Sequence, residues 1–329
     1  MKGTQLDIRM RPHRESDLAE FVRISNAANV ADGIDERMSA AGLGNWLLTP
    51  RANFTPADDL VVATVADQIV GYGWVEWVQT TDGTREYRTR GHVDPPWRRQ
   101  GVGSAILAHN ESRLLEIAAT HPDDLPRTLG AFAPERRVGA VALLTGTGYQ
   151  PVRYFFDMVR PTLDAIEVPP LPDGIEIRPV IDVDAHRRLF AADAEAFMDH
   201  WGGFDTSEAA FQQWRKDPLF DPDLFVIAWD GDEIAGGVTN KIDAEENEEL
   251  HRLRGLLDSV FVRRPWRRRG LATALVGRSL ALLRERGMTS AWLGVDAGNP
   301  TGALGVYERA GFEVHLRSTA YHKPMEMPR

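Results

Sequence analysis

The sequence predicts an α/β (α+β) chain made of two tandem domains of one kind, each a mixed, mostly antiparallel sheet flanked by helices. Three observations predict this. The chain has 329 residues, which exceeds the usual size of a single domain. Its two halves share landmarks in the same order. Short apolar strands alternate with amphipathic helices within each half. The composition, 43% hydrophobic and 26% charged, is that of a globular protein.

The internal repeat sets the domain organisation. The landmarks of the first half recur in the second with an offset of 163 to 169 residues. With their later copies they are Arg11-Pro12 and Arg178-Pro179, Trp97 to Gly103 and Trp266 to Ala272, and Gly148-Tyr149 and Gly311-Phe312. A proline-rich segment, 166–172, disfavours helix and central strand and is predicted to be a linker. We therefore predict domains over 1–165 and 173–329.

The elements of the second half follow from local patterns. A short strand over 175–178 precedes a helix over 184–197, and two strands over 224–229 and 233–239 are joined at Asp230-Gly231, a hairpin signal. The acidic stretch 243–249 is predicted to be a solvated loop. After a strand over 256–262, Leu271 and Leu275 recur at helical spacing in a helix that ends before Gly287. A strand over 290–295, a helix over 300–309 and a strand over 312–316 complete the half.

Composition excludes several classes of site and partner. The chain has no cysteine, which removes disulfides, thiolate metal sites and a cysteine nucleophile. No histidine pair has ligand spacing, so no metal site is predicted. The net charge of −10 disfavours a nucleic-acid partner. No apolar run or leader pattern indicates a membrane or secretory segment, and the predicted location is cytoplasmic. The oligomeric state stays open.

A basic, glycine-containing segment carries the first functional signal. Arginines crowd over 263–269 and are followed by Gly270 and the small Ala272 at the start of a predicted helix. Backbone N–H groups at such a helix start form an anion-binding site, and the arginines add charge to it. A solvated basic loop is the alternative. The recurrence of the pattern from Arg98 to Gly103 favours a binding loop for a small anionic ligand.

These two segments resemble the pyrophosphate loop of the GNAT superfamily of acyl-CoA-dependent N-acyltransferases. Its pattern is Gln or Arg, two residues, Gly, one residue, then Gly or Ala, and the resemblance covers both halves almost end to end. It implies acetyl-CoA, or another acyl-CoA, as cofactor. The implied cofactor-binding residues are Val260, Val262, Arg267, Arg268, Arg269, Gly270, Leu271, Ala272, Thr273 and Asn299 in the second half, and Val93, Arg98, Arg99, Gln100, Gly101, Val102, Gly103 and Ser104 in the first.

The resemblance also suggests a catalytic acid. In the family the tyrosine that corresponds to Tyr307 lies near the CoA sulfur, and a phenol that stays protonated at neutral pH can donate to a departing thiolate. A tyrosine that only packs a helix face is the alternative. The repeat places Leu144 opposite Tyr307 and Arg136 opposite Asn299. The first half is therefore expected to be a structural or regulatory copy.

The sequence also suggests a general base and an acceptor pocket, from fewer residues than those that indicate the cofactor loop. The position at which many family members carry a glutamate is Leu256 here. Asp258 lies two residues on and on the same strand face, and it is the candidate base, with a structural aspartate as the alternative. The loop after the first helix of the second half supplies the candidate substrate residues Asp199, His200 and Trp201, although a packed turn with a surface histidine fits equally well.

The predicted function is the direct transfer of an acetyl group from acetyl-CoA to a primary amine of a small molecule, in the second half of the chain. Two alternatives remain open. The tandem layout with a degenerate first copy is similar to the mycothiol synthase family, which would fix the substrate. A non-catalytic acyl-CoA sensor or scaffold would bind the ligand without turnover.

Overall fold

The computed structural model describes residues 6–198, 201, 205–299 and 302–326. The chain divides into two compact units. Unit 1 comprises Met1–Arg153 together with Ser318–Arg329, and unit 2 comprises Tyr154–Arg317. Within the described ranges, no helix has the length and apolar character needed to cross a membrane.

The elements are numbered along the whole chain. The strands are β1 (Arg9–Pro12), β2 (Leu60–Val65), β3 (Gln68–Gln79), β4 (Arg85–Val93), β5 (Arg127–Pro134), β6 (Gln150–Arg160), β7 (Ile175–Ile177), β8 (Phe225–Asp230), β9 (Glu233–Lys241), β10 (Arg254–Val262), β11 (Ser290–Asp296) and β12 (Glu313–Pro324). The helices are α1 (Leu18–Ala31), α2 (Ala40–Leu47), α3 (Pro56–Asp59), α4 (Val102–Ala119), α5 (Val138–Gly146), α6 (Val183–Phe197), α7 (Glu208–Arg215), α8 (Ala244–Glu249), α9 (Leu271–Glu285) and α10 (Ala303–Arg309).

The sheet of unit 1 has the strand order β1-β2-β3-β4-β5-β12. Neighbouring strands are antiparallel except β4 and β5, which are parallel. The parallel pair is short: it joins Arg85–Thr89 to Arg127–Ala131, although β4 continues to Val93 and β5 to Pro134. The two strands therefore separate at their carboxyl ends and leave an opening in the sheet.

The sheet of unit 2 repeats this topology with the order β7-β8-β9-β10-β11-β6. Here β10 and β11 are the parallel pair and the other neighbours are antiparallel. The parallel pairing joins only Arg254–Leu256 to Ser290–Trp292. Beyond it β10 pairs with β9 alone, with a bulge between Leu257 and Ser259. Both units thus have the mixed, mostly antiparallel sheet that the sequence predicts.

The last strand corrects one prediction. The predicted strand over 312–316 is β12, which extends to Pro324, and its residues from Ser318 onward belong to unit 1. Likewise, β6 follows the glycine landmark of the first copy, yet its residues from Tyr154 onward belong to unit 2. A repeat in sequence cannot reveal this exchange of final strands. As a division of the sequence into two copies, the boundaries 1–165 and 173–329 stay a prediction.

Helices cover both faces of each sheet. In unit 2, α9 and α10 share a core with one face, which we call the α9 face, while α6 packs on the other, the α6 face. Leu271, Leu275 and Leu283 of α9 are almost fully buried, as their spacing predicts. Gly287 follows this helix at φ 85°, which confirms its predicted role as the terminating residue. In unit 1, α4 covers one face and α1 the other, which we call the α4 face and the α1 face.

The acidic stretch 243–249 is not a loop. It forms α8, and the side chain of Asp243 accepts a hydrogen bond from the Glu246 amide at 2.8 Å, which caps the helix start. Asn247 is buried and exchanges two 3.0 Å hydrogen bonds with the backbone of Arg254. Charge alone predicts solvation, but an aspartate cap and one buried amide stabilise this turn and a half of helix.

Candidate active site

The opening between β10 and β11 is the centre of the site in unit 2. After Leu256, β10 has a strand partner on one side only. Alternate backbone groups of Leu257 to Val262 are therefore left without a ladder partner, as at a sheet edge. Val260 and Val262 lie on this segment, and their side chains pack toward the α9 face. Both residues are predicted to bind the cofactor, and this role stays a prediction.

The loop after β10 has the backbone that an anion site requires. Arg268 has φ 60°, and Gly270 has φ 81° at the start of α9. The amide of Ala274 makes the first intrahelical hydrogen bond, to the Gly270 carbonyl at 3.1 Å. The amides of Leu271, Ala272 and Thr273 precede it and have no helical acceptor. These N–H groups and the positive end of α9 can bind a diphosphate.

The arginines of this loop have different roles. Arg267 donates to the backbone carbonyls of Val262 at 2.9 Å and Ala196 at 3.2 Å, and so ties the loop to the ends of β10 and α6. Arg269 makes one hydrogen bond, to the Asp173 carbonyl at 3.3 Å. Arg268 is exposed and makes no hydrogen bond or ion pair within the described residues. The exposed arginines can supply charge to a ligand, whereas Arg267 anchors the loop.

Unit 1 contains the same loop. Arg99 has φ 62° and Gly101 has φ 91° at the start of α4. Arg98 corresponds to Arg267 and makes a bidentate ion pair with Asp32 at the end of α1, at 2.6 and 3.0 Å. Gln100 donates to the Pro96 carbonyl at 2.9 Å. The first arginine of each loop thus holds it to the first long helix of its copy.

A cavity of about 810 Å³ adjoins the loop of unit 1. It passes between β4 and β5, and a ligand the size of a CoA arm would fit such a volume. The predicted residues Val93, Arg98, Arg99, Gly101, Gly103 and Ser104 line it. Gln100 and Val102 do not, and the side chain of Val102 is buried in the core.

Tyr307 lies on α10 in the core of the α9 face. Its side chain is 6% exposed and belongs to the same cluster as Leu271 at the start of α9 and Val295 near the end of β11. Its ring stands edge-on to Phe312, with the centroids 6.1 Å apart. Burial raises the pKa of the phenol well above its usual value, so the group is protonated at neutral pH. Its counterpart Leu144 is a buried core residue of unit 1.

Asn299 lies in the turn between β11 and α10. Its amide donates to the Asp296 carbonyl at 3.1 Å, and the Asp296 side chain accepts from the Gly298 amide at 3.0 Å. This turn places Asn299 after the strand that borders the opening. Asn299, which is predicted to bind the cofactor, therefore follows the carboxyl end of β11.

Asp258 occupies the bulge of β10, but it is already paired. Its carboxylate lies 2.8 Å from the Lys241 ammonium, which is also 2.9 Å from Asp217. Burial lowers the pKa of Lys241, yet the charges of the two aspartates outweigh it and the pKa is raised. The lysine is therefore charged and partly neutralises Asp258.

A second carboxyl beside the bulge escaped the sequence analysis. Asp193 projects from α6, and Ser259 donates a 2.7 Å hydrogen bond to it. Burial raises the pKa of Asp193 to about 7; the charge of Asp258 adds to this, and the bond from Ser259 opposes it. A carboxyl that titrates near neutral pH is suited to accept a proton. The sequence signal that could have identified Asp193 is its position as a polar residue beside the buried residues Leu189, Ala192 and Ala196 of α6.

A third carboxyl lies on the same face of the sheet. Met158 of β6 and Leu293 of β11 face the α9 core, so Asp157 and its cross-strand partner Gly294 face the other way. Burial raises the pKa of Asp157 to about 6. The α6 face thus carries Asp157, Asp193 and Asp258 around the opening.

Of the three predicted substrate residues, Trp201 can be placed. Its ring centroid lies 6.0 Å from that of Phe155 on β6. Phe155 pairs with Asp296 and alternates with Phe156, which packs in the α9 core, so Phe155 belongs to the α6 face. Asp199 and His200 lie outside the described residues. Trp201 therefore contacts a residue of the α6 face, and its role in substrate binding stays a prediction.

Comparison with known proteins decides the family. The Acetyltransferase (GNAT) family model matches residues 187–312. The mycothiol acetyltransferase of Salinispora tropica is 31% identical over 301 residues, which are 90% of this chain and 90% of that protein. That of Salinispora arenicola is 30% identical over 309 residues, 92% and 91% of the two chains. The chain belongs to the GNAT acetyltransferase family.

Solved structures agree with the GNAT assignment. A GCN5-related N-acetyltransferase from Sphaerobacter thermophilus has a TM-score of 0.71 and 27% identity, covering 97% of this chain and 96% of its own. A tandem GNAT protein from the clavulanic acid biosynthesis pathway also has a TM-score of 0.71, with 16% identity over 98% of this chain and 100% of that one. The second likeness concerns the fold alone, and the predicted tandem GNAT fold is confirmed.

The family fixes the reaction class. This GNAT protein is an acyl-CoA-dependent N-acetyltransferase that uses acetyl-CoA and acts on a small molecule. The glycines at positive φ, the unpaired amides at the starts of α4 and α9 and the cavity of unit 1 suit the diphosphate and arm of that cofactor. The individual site residues stay predictions, and so does the cytoplasmic location.

Proposed function

We propose that acetyl transfer takes place in unit 2 and that the acceptor is a small primary amine that arrives as a cation. The observation that carries this proposal is the acidic α6 face at the opening between β10 and β11, opposite the α9 face that contains Tyr307. Asp157, Asp193 and Asp258 attract an ammonium ion. On the corresponding α1 face of unit 1, the carboxylates Glu76 and Glu86 lie beside arginines, and Arg90 corresponds to Ser259.

The donor binds at the loop of unit 2 in this proposal. The amides of Leu271, Ala272 and Thr273 hold the diphosphate, and Arg268 and Arg269 add charge. The edge of β10 at Val260 and Val262 orients the thioester carbonyl, and Asn299 supports the arm at the end of β11. These contacts position the donor and polarise its carbonyl, which are the main contributions that a site for direct transfer needs.

Asp193 and Asp258 act together as the proton-accepting group. The amine is protonated in water and cannot attack until it loses a proton. Asp193 accepts that proton, and the charge of Asp258 strengthens its affinity for it. Asp258 itself is paired with Lys241 at 2.8 Å, so in this proposal it acts on the proton through Asp193. The predicted base Asp258 is thereby retained as part of a pair.

Each proton that moves in the proposed reaction has a donor and an acceptor. Asp193 takes one proton from the ammonium ion, and the freed lone pair forms the N–C bond while the C–S bond breaks. Tyr307 donates its proton to the departing sulfur and regains one from the nitrogen as the amide forms. The products are the acetamide and the free thiol, with one proton left on Asp193 for release to solvent.

Unit 1 binds an acyl-CoA without turnover in this proposal. Its loop and cavity are intact, but Leu144 replaces the acid. Its β4 pairs with β3 in continuous register, without the bulge that presents Asp258 in β10. This half would have a structural or regulatory role.

The relatives support a second candidate substrate. Proteins that are 30 to 31% identical over at least 90% of this chain are mycothiol acetyltransferases. A mycothiol synthase-like acetyltransferase activity is therefore the alternative within the same reaction class. A sensor or scaffold that binds acyl-CoA without turnover is the alternative outside it.

Release of free CoA thiol from acetyl-CoA tests the proposal. A length-matched set of acceptors, consisting of a diamine, an amino alcohol and an amino acid, should give kcat/KM values that fall in that order. The acidic face favours an added cation and disfavours a carboxylate. A preference for the amino acid would refute the acidic acceptor site. If no thiol is released with these amines or with the acceptor of a mycothiol acetyltransferase, the alternative of a non-catalytic acyl-CoA sensor would be favoured.

A further inference from the structure

The cavity of unit 1 has a basic end that the diphosphate loop does not explain. Strands β4 and β5 stop pairing at Thr89 and Ala131, and the next residue of each strand is Arg90 or Phe132. Tyr87, Leu129 and Ala131 face the α4 core, so Arg90 and Phe132 face α1. Both line the cavity on the far side of the opening from α4. This is the end at which the acyl group of a bound thioester would emerge.

The guanidinium of Arg90 is poorly satisfied. It makes no hydrogen bond within the described residues, and its buried Nε has no hydrogen-bond partner there. Its nearest carboxylate oxygen, on Glu76, is 3.8 Å away, and that carboxylate also lies 3.5 Å from Arg51. Its Cζ lies 5.5 Å from the ring centroid of Phe132. Burial lowers the pKa of Arg90, while its side chain keeps 32% exposure where it lines the cavity.

Neighbouring groups extend this basic end. Arg137 also lines the cavity; it donates to Asn29 at 2.7 Å, and its Nε is 3.9 Å from Asp32. His92 lines the same cavity. Burial, followed by the charges of Arg137, Arg90 and Arg98, lowers the pKa of His92 to about 3, so this residue is neutral and the arginines carry the charge.

The diphosphate does not account for Arg90. The amides at the start of α4 and the exposed Arg99 lie at the loop, four residues or more beyond the end of β4, whereas Arg90 lies where the strands part. The corresponding residue of unit 2 is Ser259, which bonds to Asp193. One copy thus presents a carboxyl to its opening and the other a guanidinium, and the two suit ligands of opposite charge.

We propose that unit 1 contains a carboxylate subsite in which Arg90, supported by Arg137, binds the carboxylate of an acyl group derived from a dicarboxylic acid. This inference rests on the proposed binding of an acyl-CoA in unit 1. A planar guanidinium pairs with a carboxylate through two parallel hydrogen bonds, and burial strengthens that pair. A free carboxylate beside an unacylated CoA has the same chemistry. Unit 1 would then distinguish carboxylated acyl-CoA from acetyl-CoA.

Calorimetric titration of the full chain tests the subsite. Malonyl-CoA should bind unit 1 about tenfold or more tightly than acetyl-CoA, the scale of one hydrogen-bonded charge pair. Gly101→Val should remove the site that shows this preference, which assigns it to unit 1. Arg90→Met should abolish the preference while changing acetyl-CoA affinity little, and Arg90→Lys should retain part of it. Far-ultraviolet circular dichroism checks that each variant is folded.

A titration with malonate separates the two sources of the carboxylate. Binding of malonate that Arg90→Met abolishes would support a subsite for a free carboxylate. Equal affinities of the wild-type chain for malonyl-CoA and acetyl-CoA, without malonate binding, would overturn the inference. So would a preference that survives in a folded Arg90→Met protein. If no thioester binds in a Gly101-dependent manner, the proposed CoA site of unit 1 fails, and the malonate arm still tests Arg90.

Discussion

At the scale of single residues, unit 2 contains a carboxyl and a phenol, Asp193 and Tyr307, whose pKa values lie far apart. Burial raises the pKa of Asp193 to about 7 and holds the pKa of Tyr307 well above its usual value. Near neutral pH a substantial fraction of Asp193 is ionised and can accept a proton. Tyr307 stays protonated at this pH, so it has a proton to donate in the proposed reaction. These pKa values fit the proposed roles of Asp193 as the base and Tyr307 as the acid.

The pH profile tests the proton acceptor. Asp193 works only when ionised, so kcat/KM should rise with pH through about 7 in the wild-type protein. Asp193→Asn should remove this limb and most of the activity above it. Asp258→Asn should move the limb to lower pH, because the charge of Asp258 raises the pKa of Asp193.

The two variants control each other, since both are isosteric and both sit on the α6 face. Loss of the limb in Asp258→Asn together with an unchanged profile in Asp193→Asn would reverse the roles. Asp258 would then be the base, as the sequence alone suggests.

Tyr307 provides the second prediction at this scale. Tyr307→Phe removes one hydroxyl from a packed ring, so acetyl-CoA affinity should stay nearly constant while kcat falls by about 10² to 10³, the scale of a positioned acid. Leu144→Phe is the matched control in unit 1 and should leave kcat unchanged. Steady-state kinetics with a calorimetric Kd separates the two effects. Equal loss of binding and turnover would make Tyr307 a packing residue.

At the scale of elements, the two binding loops show what sequence can reveal. A glycine that begins a helix after a basic run predicts a left-handed position, and Gly101 and Gly270 both adopt it. The positive φ of Arg99 and Arg268 has no such signal, because arginine does not favour that region. The backbone conformation of the two glycines was therefore predictable, while the anchoring of Arg98 and Arg267 required tertiary contacts.

The acidic residues of the α6 face illustrate the opposite case. Asp157 and Asp193 come together from β6 and α6, which lie far apart in sequence. Each appears in the sequence only as a polar residue among apolar ones. A motif identifies the donor side of this site because that side is local, whereas the acceptor side is assembled by the fold.

The final strand gives a prediction at this scale. Residues Ser318–Pro324 complete the sheet of unit 1 beside β5, bury Tyr321 in its core and pair Lys323 with Glu111 at 2.9 Å. A chain that ends at Arg317 should lose this strand and unfold unit 1 at a markedly lower temperature, because β5 loses its partner. Calorimetry should show the change, and a chain that ends at Glu326 is the control. Equal melting of the two truncated chains would contradict the assignment of this strand to unit 1.

At the scale of the whole molecule, a duplicated fold carries two sites of different chemistry. Both units keep the split strands and the glycine loop, which predicts binding of the same cofactor. Within the described residues, unit 2 has Tyr307 and Ser259 where unit 1 has Leu144 and Arg90. The sequence shows this asymmetry at Leu144, but it does not reveal the exchange of final strands between the copies. Backbone pairing over long sequence separations decides that exchange.

The measurement that tests the account most directly compares Gly270→Val with Gly101→Val in the rate of thiol release. Each glycine begins a helix at positive φ, 81° and 91°, and an added Cβ would meet no backbone within 4 Å at either site, so the backbone strain is matched. Gly270→Val should abolish turnover by distorting the loop that binds the donor. Gly101→Val should leave most of the turnover intact. Equal loss of activity in two folded variants would contradict the division into a catalytic unit 2 and a non-catalytic unit 1.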